Sequence, residues 1–222
     1  MHYQPKTESP AFFEDCRQQL PPDAEWHHFS DNRELSSCKQ QLHEHLIAEQ
    51  SGLCIYCERQ INRAASHVEH VYPQSVFTDL VFDFQNLVAS CNGESCVYDE
   101  SSDFPVRDSR SCGHRKSDDM NPVLFLNPVT EPELERYFVY DKQSCAIKPG
   151  TLEPARASYT LNLLHLDNPR LNNERNNARI ALNRVLSTYP PQARKASLNR
   201  LLAHERPFIS FLRFNYSALL SS

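Results

Sequence analysis

One segment of the chain concentrates side chains that bind metals. Residues 54–76 read CIYCERQINRAASHVEHVYPQSV, with two cysteines, two histidines and two glutamates within seventeen residues. Thiolates and imidazoles are common zinc ligands, carboxylates suit harder divalent cations, and an imidazole can also accept a proton near neutral pH. The segment therefore predicts a metal centre, a proton-transfer site, or both.

The cysteine spacing is typical of a zinc site. Cys54 and Cys57 form a C-x2-C pair, and a tetrahedral ion with four cysteine ligands needs two further thiolates. Cys91, Cys96 and Cys112 are the candidates, and two of these three would complete the site. The alternatives are four reduced cysteines that only fill space, and a thioredoxin-like redox pair, which the lack of a βαβ pattern disfavours.

The other cysteines are assigned to packing. No apolar run approaches the roughly 20 residues needed to span a bilayer, and the first residues lack a signal-peptide pattern, so a cytoplasmic location is expected. In a reducing cytosol, eight cysteines favour metal binding over a disulfide framework. Cys38 falls on the apolar face of a predicted helix, and Cys16 and Cys145 are isolated, so we expect all three to be core residues.

The stretch HVEHVYP predicts a strand that carries chemistry on both faces. Period-2 alternation places His67, Glu69 and Val71 on one face and Val68 and His70 on the other, and the Tyr-Pro pair ends the strand. A carboxylate that holds a divalent cation beside an imidazole that accepts a proton can hydrolyse a phosphodiester. Glu69 and His70 are the candidates for these roles, and His67 is interpreted as a packing or substrate-side residue.

Helices and turns must position this strand. Residues 1–30 are Pro-rich and predicted to be an irregular arm that lies on the body. A helix follows, capped by Ser30 or Asp31 and ended by Gly52. Its apolar face is predicted from spacings of three and four: Leu35, Cys38, Leu42 and Leu46. His43 and His45 are assigned to solvent or packing.

After this helix, the sequence predicts short strands and turns, followed by helices in the C-terminal part. NLVASC predicts a second strand, CGH precedes a helix start, and ERYFVYDKQSCAIKPG predicts a β-hairpin. The last 65 or so residues are predicted to be helical, with Asn168 as the cap of one helix and Pro169 at its first position.

The charge is unevenly distributed along the chain. The net charge is -5, yet the segment from Arg170 to Arg213 has nine basic and two acidic residues, a balance of +7 that leaves -12 elsewhere. This asymmetry permits a polyanionic partner, and a solvated helical surface is the alternative interpretation. The acidic remainder argues against strong binding of the free protein to DNA.

Taken together, the C-x2-C pair, HVEHVYPQS, NLVASCNG and CGHRKSD closely resemble the HNH endonucleases over roughly residues 50–121. The resemblance implies an α+β fold, with a zinc-stapled ββα-metal core, flanking helices and a mainly helical C-terminal part. It also divides the chain into residues 1–50 as an N-terminal arm and helix, 51–121 as the nuclease module, and 122–222 as a hairpin followed by helices that contact a partner or nucleic acid.

The resemblance also implies roles for individual residues. Glu69 is similar in position to the metal-ligating acid, His70 to the general base, Asn86 to the residue that holds the base loop, and His114 to the second metal ligand. Arg115 and Lys116 would then face the phosphate. The implied cofactors are a structural Zn²⁺ and a catalytic Mg²⁺ or Mn²⁺.

The sequence departs from the simplest HNH pattern at the second zinc pair. This pair is usually a compact C-x2-C, whereas here twenty residues separate Cys91 from Cys112, with Cys96 between them. Cys112 directly precedes GHRK, so a zinc ion there would fix the helix that presents His114, and Cys112 is predicted as the fourth ligand. Cys96 is the alternative. The polar insertion between the cysteines is expected to be an exposed loop.

A narrower resemblance concerns CIYCERQI, VEHVYPQS, DLVFDFQNLVASCNG, CGHRKSD and LDNPRL, which are similar to the PtuB family of HNH nucleases. PtuB is the partner of the ATPase PtuA in Septu-type anti-phage defence and in some retrons. The resemblance implies a defence nuclease that a PtuA-like ATPase gates in a hetero-oligomer, with DNA or tRNA as substrate. Two alternatives stay open: a non-catalytic zinc module that binds nucleic acid or protein, and a subunit whose main task is to dock onto the ATPase.

Overall fold

Two short strands form the sheet that carries the candidate site. The computed structural model describes residues 1–93 and 110–221. Within them, β1 (Ser66–His70) pairs antiparallel with β2 (Leu87–Cys91). Every residue of β2 is buried, which explains its continuous apolar sequence. Both strands were predicted from the sequence, and both are confirmed.

The predicted long helix lies against this sheet. It is α2 (Arg33–Glu49), and all four residues assigned to its apolar face are buried. Its cap is Asn32, whose side-chain oxygen accepts a hydrogen bond from the Leu35 N–H, so the cap lies one or two residues later than predicted. Gly52 follows the helix with φ of +75°, and its N–H donates to the Ile47 carbonyl. The glycine therefore ends the helix as expected.

The N-terminal arm is part of the core. It contains α1 (Ala11–Arg17) and a 3₁₀ turn (Trp26–Ser30), and the Phe13 and Phe29 rings, one from each, are fully buried against one another. The prediction of an irregular arm is therefore wrong for these segments. Phe13 also packs against Phe84, which anchors the arm to the turn before β2.

The prediction that Cys16 and Cys38 serve only as core-packing residues, without a disulfide, is wrong. The structure joins them in a disulfide between α1 and α2, with Cα atoms 6.6 Å apart. Cys38 is buried as expected, and the pairing arises because the two helices dock side by side. Cys145 is buried and unpaired, in agreement with its assignment to packing.

The second half of the described chain is mainly helical after one hairpin. Its elements are α3 (Gly113–Lys116), β3 (Phe138–Tyr140), β4 (Ile147–Pro149), α4 (Pro154–Leu164), α5 (Pro169–Ser187), α6 (Arg194–Leu202) and α7 (Ile209–Ser221). The predicted hairpin is confirmed, because β3 pairs antiparallel with β4. Asn168 caps α5 through the Leu171 N–H, and Pro169 occupies its first turn, as predicted. The fold is therefore α+β.

This helical half packs directly onto the site-bearing half. The Cys112 N–H donates to the Leu164 carbonyl at the end of α4, and Arg59 pairs with Glu174 of α5 at 2.7 Å. One hydrophobic core runs through both halves. None of the helices among the described residues is long and apolar enough to cross a membrane.

Much of the positive charge on the C-terminal helices serves internal contacts. Arg175 is buried and donates to the Leu166 carbonyl, Arg170 pairs with Glu174, and Arg213 pairs with Glu135. A guanidinium that is held in this way has fewer donors left for a phosphate backbone. The predicted polyanion-binding surface between Arg170 and Arg213 is therefore weaker than its net charge suggests.

Candidate active site and metal centre

Four cysteines converge behind the sheet. Cys54 and Cys57 come from the turn after α2, Cys91 ends β2, and Cys112 immediately precedes α3. Their sulfur atoms all lie within 4.8 Å of one another, and all four side chains are buried. These are the four cysteines predicted from the sequence. The alternative ligand, Cys96, lies outside the described residues.

The cluster has the chemistry and the spacing of a structural zinc site. A Zn–S distance of about 2.3 Å places the sulfurs of a tetrahedral site about 3.8 Å apart, and the Cys57 and Cys91 sulfurs are 3.8 Å apart. Burial raises the pKa of the Cys57 and Cys112 thiols, so a cation is needed to hold both as thiolates. The Cys91 N–H donates to the Cys54 sulfur. The cluster could therefore bind zinc.

Glu69 is buried close to this cluster, against Gly113, which follows Cys112. Its carboxylate accepts hydrogen bonds from the Tyr56 hydroxyl at 3.3 Å and pairs with Lys116 at 3.1 Å. His67 donates from Nε2 to the second carboxylate oxygen at 3.3 Å. Burial alone would raise the pKa of Glu69, but the hydrogen bond from His67 and the charge of Lys116 hold it below its ordinary value. Glu69 is therefore an anion at neutral pH.

Two imidazoles stand beside this carboxylate. The His67 and His114 rings stack with centroids 4.2 Å apart and planes 14° apart. His67 Nδ1 is buried and has no hydrogen-bond partner among the described residues. The close approach of α3 depends on Gly113, because a Cβ at this position would lie 2.5 Å from a Glu69 oxygen and 2.9 Å from His67 Nε2.

The donor set of Glu69, His67 and His114 fits a divalent cation in its chemistry. One carboxylate and two imidazoles suit Mn²⁺ or Zn²⁺, and the carboxylate also suits Mg²⁺. Their ligand atoms do not form a group as tight as the cysteine sulfurs. Because the His114 side chain is exposed, it can rotate toward an ion without breaking the core.

His70 faces the other side of β1, as the alternation predicted. Its Nε2 lies 3.0 Å from the Val81 carbonyl, and because a carbonyl oxygen only accepts, this nitrogen carries the hydrogen. The Nδ1 atom has no hydrogen-bond partner among the described residues. Burial lowers the pKa of His70, against a smaller opposing effect of the hydrogen bond to Val81. The neutral ring is therefore held in the tautomer whose Nδ1 can accept a proton.

Trp26 covers the His70 ring. The indole and imidazole meet edge to face with centroids 4.7 Å apart, and Phe29 and Phe82 pack around the indole. Trp26 was not among the site residues predicted from the sequence. No local motif reveals this contact, because it depends on how the N-terminal arm docks.

Asn86 holds the loop that carries the His70 acceptor. Its side-chain oxygen accepts from the Tyr72 N–H, and its amide nitrogen donates to the Tyr72 and Leu80 carbonyls. Leu80 directly precedes Val81. These contacts place Asn86 where it can fix the backbone that orients His70.

The Lys116 side chain points into the protein and not toward a surface that could bind phosphate. It is buried, and its ammonium group donates to the His70 and Val71 carbonyls at 2.8 and 2.9 Å in addition to its ion pair with Glu69. All three donors of the ammonium are therefore used. The prediction that Lys116 binds substrate disagrees with this placement. Arg115, predicted for the same role, is partly exposed on α3.

His67 was interpreted from the sequence as a packing or substrate-side residue. The alternation had put it on the same face as Glu69, which the contact between the two side chains confirms. Tyr56, between the two zinc-type cysteines, was missed, and its only sequence signal is its position in the turn.

Two similar proteins carry names that identify them as HNH endonucleases of retrons. The "Retron Vc95 putative HNH endonuclease" of Vibrio cholerae serotype O1 biovar El Tor is 27% identical over 149 residues, which are 64% of this chain and 65% of that protein. The "Retron Ec83 putative HNH endonuclease" of Escherichia coli is 27% identical over 184 residues, 69% of this chain and 70% of that protein. The chain thus spans about two thirds of the relatives it matches. No protein-family model matches the chain.

Proposed function

We propose that this protein is a metal-dependent HNH endonuclease that hydrolyses phosphodiester bonds in nucleic acid. The observation that carries the proposal is that the last two residues of β1 supply both chemical groups. Glu69 lies beside two imidazoles, and His70 is held as a neutral ring with one nitrogen free of hydrogen bonds among the described residues.

His70 acts as the general base. The Val81 carbonyl binds Nε2–H, so the ring can take a proton only at Nδ1, and Asn86 fixes the loop that holds this carbonyl. The lowered pKa keeps the ring unprotonated at neutral pH. A base in this state removes a proton from water as the water attacks phosphorus.

Glu69, His67 and His114 would hold the catalytic divalent ion, with Mg²⁺ or Mn²⁺ the ions proposed. Such an ion, when bound, stabilises the charge that builds on the phosphate. His67 and Lys116 keep the Glu69 carboxylate ionised, and the hydrogen bond from Tyr56 helps to orient it. Lys116 also ties the end of β1 to α3 through the His70 carbonyl, so it acts as a positioning residue.

The cysteine cluster has a structural role in this proposal. Cys91 ends β2 and Cys112 begins α3, so an ion held by both, together with Cys54 and Cys57, fixes α3 against the strand pair. This arrangement holds His114 near Glu69. The four positions of the zinc ion would all be occupied by protein, which leaves it no place for substrate.

The biological setting that we propose is anti-phage defence with a PtuA-like ATPase as the gating partner. Both relatives are named as retron components, and the sequence is similar to PtuB. Net negative charge outside the C-terminal helices supports a nuclease that needs a partner to engage DNA or tRNA efficiently.

The deciding experiment is cleavage of plasmid DNA and total tRNA in Mg²⁺ or Mn²⁺ by wild type and His70→Ala. Each is tested with and without a PtuA-like ATPase, and zinc is quantified on the same samples. We expect cleavage by wild type, loss of at least about 100-fold in His70→Ala, and one zinc per chain in both.

Two results would contradict the proposal in different ways. Equal cleavage by both proteins would remove His70 from the mechanism. If neither protein cuts any substrate with or without the ATPase, although both retain zinc, a non-catalytic zinc module that binds nucleic acid or protein becomes the better description.

A further inference from the structure

A cationic cavity lies between α2 and β1, directly beside the candidate metal ligands. Its volume is about 410 Å³, and His67 forms part of its wall. Lys39 of α2 and Arg63 of the turn before β1 also line it, with the hydroxyl of Ser36 and the amide of Gln40 between them. No carboxylate is among its lining residues. The cavity therefore presents only positive charge and neutral polar groups next to His67.

Lys39 has no anionic partner in this wall. Among the described residues its ammonium donates only to the Ser30 hydroxyl, at 3.3 Å, and lies 5.4 Å from the centre of the Trp26 ring. Partial burial lowers the pKa of Lys39, because the charged form loses water without gaining a carboxylate. An anion bound in the cavity would restore that lost stabilisation.

Arg63 is the second cation. Its side chain is about half exposed, forms an ion pair with Glu44 at 3.5 Å, and donates to the Gln40 amide oxygen at 2.9 Å. An exposed ion pair of this length is weak, so the guanidinium can exchange Glu44 for a phosphate oxygen.

A neighbouring cavity of about 910 Å³ has the opposite character. It shares Lys39 and also contacts Trp26 and Val81, but its rim carries three acidic residues: Asp23, Glu25 and Asp79. These carboxylates repel phosphate. The two groups that the Lys39 ammonium contacts, Ser30 and Trp26, also line this acidic cavity. Lys39 therefore stands between the two cavities, and its flexible side chain must turn toward Arg63 to donate into the cationic one.

We propose that the cationic cavity binds a phosphate group of the nucleic-acid backbone next to the bond that is cut, with Lys39 and Arg63 as the donors. This inference rests on the proposed function, since it names the path of the substrate strand to that same site. The cavity then takes the place of two earlier candidates for the main contact with the nucleic-acid backbone. Lys116 is buried, and most arginines of the C-terminal helices are held in contacts within the protein.

The test is fluorescence anisotropy with labelled 12-nucleotide DNA and RNA of one sequence, in buffer without added divalent ions so that binding is separated from cleavage. Each protein is measured alone and with a PtuA-like ATPase, and the outcomes refer to the condition in which wild type binds more tightly. Lys39→Gln and Arg63→Gln are compared with Arg184→Gln, which removes the same charge from an exposed position on α5. We expect each of the first two to weaken binding about fivefold and to lower the salt slope by about 0.7, while Arg184→Gln changes neither.

The outcomes separate this inference from the nuclease proposal. Cleavage by wild type combined with unchanged binding by Lys39→Gln and Arg63→Gln overturns the cavity and leaves the nuclease intact. Selective loss of binding in these variants, without cleavage by any protein, supports the cavity and removes the nuclease. Equal losses in all three variants, no measurable binding by wild type, or displacement of the oligonucleotide by an equal concentration of inorganic phosphate would each overturn the backbone assignment.

Discussion

The two groups of potential metal ligands differ in how far the fold has fixed them. The cysteine sulfurs lie within 4.8 Å of one another and are buried on all sides, whereas Glu69, His67 and His114 form a looser group with one exposed member. The first arrangement suits an ion that holds elements together. The second suits an ion that must also bind water and substrate.

The two groups also differ in whether they need a bound cation to be ionised. The Cys57 and Cys112 thiols have pKa values raised by burial, so the cluster depends on a cation for its thiolates. Glu69 already has Lys116 and His67 as partners and remains ionised without any metal. We therefore expect the fold to fail when the cysteine cluster loses its ion, and to survive when the Glu69 group does.

The largest effect is expected for Cys112→Ser. Binding of a structural zinc is worth about 10 kcal/mol or more in small zinc modules, and removal of one thiolate forfeits much of it. Zinc content should fall from one per chain to well below that value, and the thermal midpoint should drop by more than about 10 °C. Metal analysis and calorimetry on one preparation measure both.

The matched control is Cys145→Ser, which changes a buried thiol outside the cluster. It should retain zinc and cost only about 1 to 2 kcal/mol for burying a hydroxyl. Zinc retained in Cys112→Ser would show that the fourth ligand is another residue, and would reopen the question of Cys96.

The second-largest effect should be on activity, with the stability of the fold preserved. Glu69→Gln keeps an oxygen for Lys116 but removes the anion, so divalent-ion affinity and cleavage should fall by about 100-fold or more, while zinc content is unchanged. Glu174→Gln, which alters a half-buried carboxylate paired with Arg59, is the control and should leave both unchanged. Titration with Mn²⁺ followed by electron paramagnetic resonance measures affinity directly. Unaltered Mn²⁺ affinity in Glu69→Gln would place the ion elsewhere.

A third group of charged side chains, His2 with Glu58 and Glu205, is held together by ion pairs and can be compared with the two groups of potential metal ligands. Burial lowers the pKa of His2, but its hydrogen bonds to Glu205 and Glu58 outweigh this and raise it to about 9. Because the folded-state pKa lies above the unfolded value of 6.5, the stabilisation is complete below about pH 6.5 and is lost as the pH rises through about 9, with an upper value of about 3 kcal/mol.

The difference in unfolding free energy between wild type and His2→Ala should therefore shrink between pH 6.5 and 9. The cysteine cluster has the opposite dependence, since acid protonates thiolates and releases the ion. A difference that stays constant across this range would mean that His2 is not protonated in the folded protein.

The parts of the site that could be predicted from the sequence are those that depend on local backbone geometry. Strict alternation in HVEHV placed Glu69 and His70 on opposite faces, and Cys112 could be chosen because it adjoins the helix start. These inferences need only the geometry of one strand and one turn.

What the sequence missed depends on docking between distant segments. Trp26 reaches His70 across 44 positions of chain, and the Cys16–Cys38 disulfide exists because α1 packs beside α2. Lys116 was assigned to substrate from the resemblance to HNH endonucleases, and only the fold shows that its ammonium group already has three acceptors within the protein.

The smallest effect should come from Gly113→Ala, and it tests how the two groups are coupled. Gly113 follows the zinc-type Cys112 and precedes His114, and its missing Cβ leaves room for the Glu69 carboxylate. A methyl group 2.5 Å from that oxygen must push Glu69 or α3 aside. We expect Mn²⁺ affinity to fall about tenfold, with zinc retained and a stability loss of about 1 kcal/mol.

The control, Gly52→Ala, separates backbone strain from crowding. Nothing lies within 4 Å of a Cβ at Gly52, but its φ of +75° disfavours alanine, so this change should cost about 1 kcal/mol without altering Mn²⁺ affinity. If both variants lose the same stability and only Gly113→Ala loses Mn²⁺, the defect lies in the space beside Glu69. If Gly113→Ala binds Mn²⁺ normally, the Glu69 group adjusts independently of α3, and the cysteine cluster cannot be what holds the catalytic ligands in place.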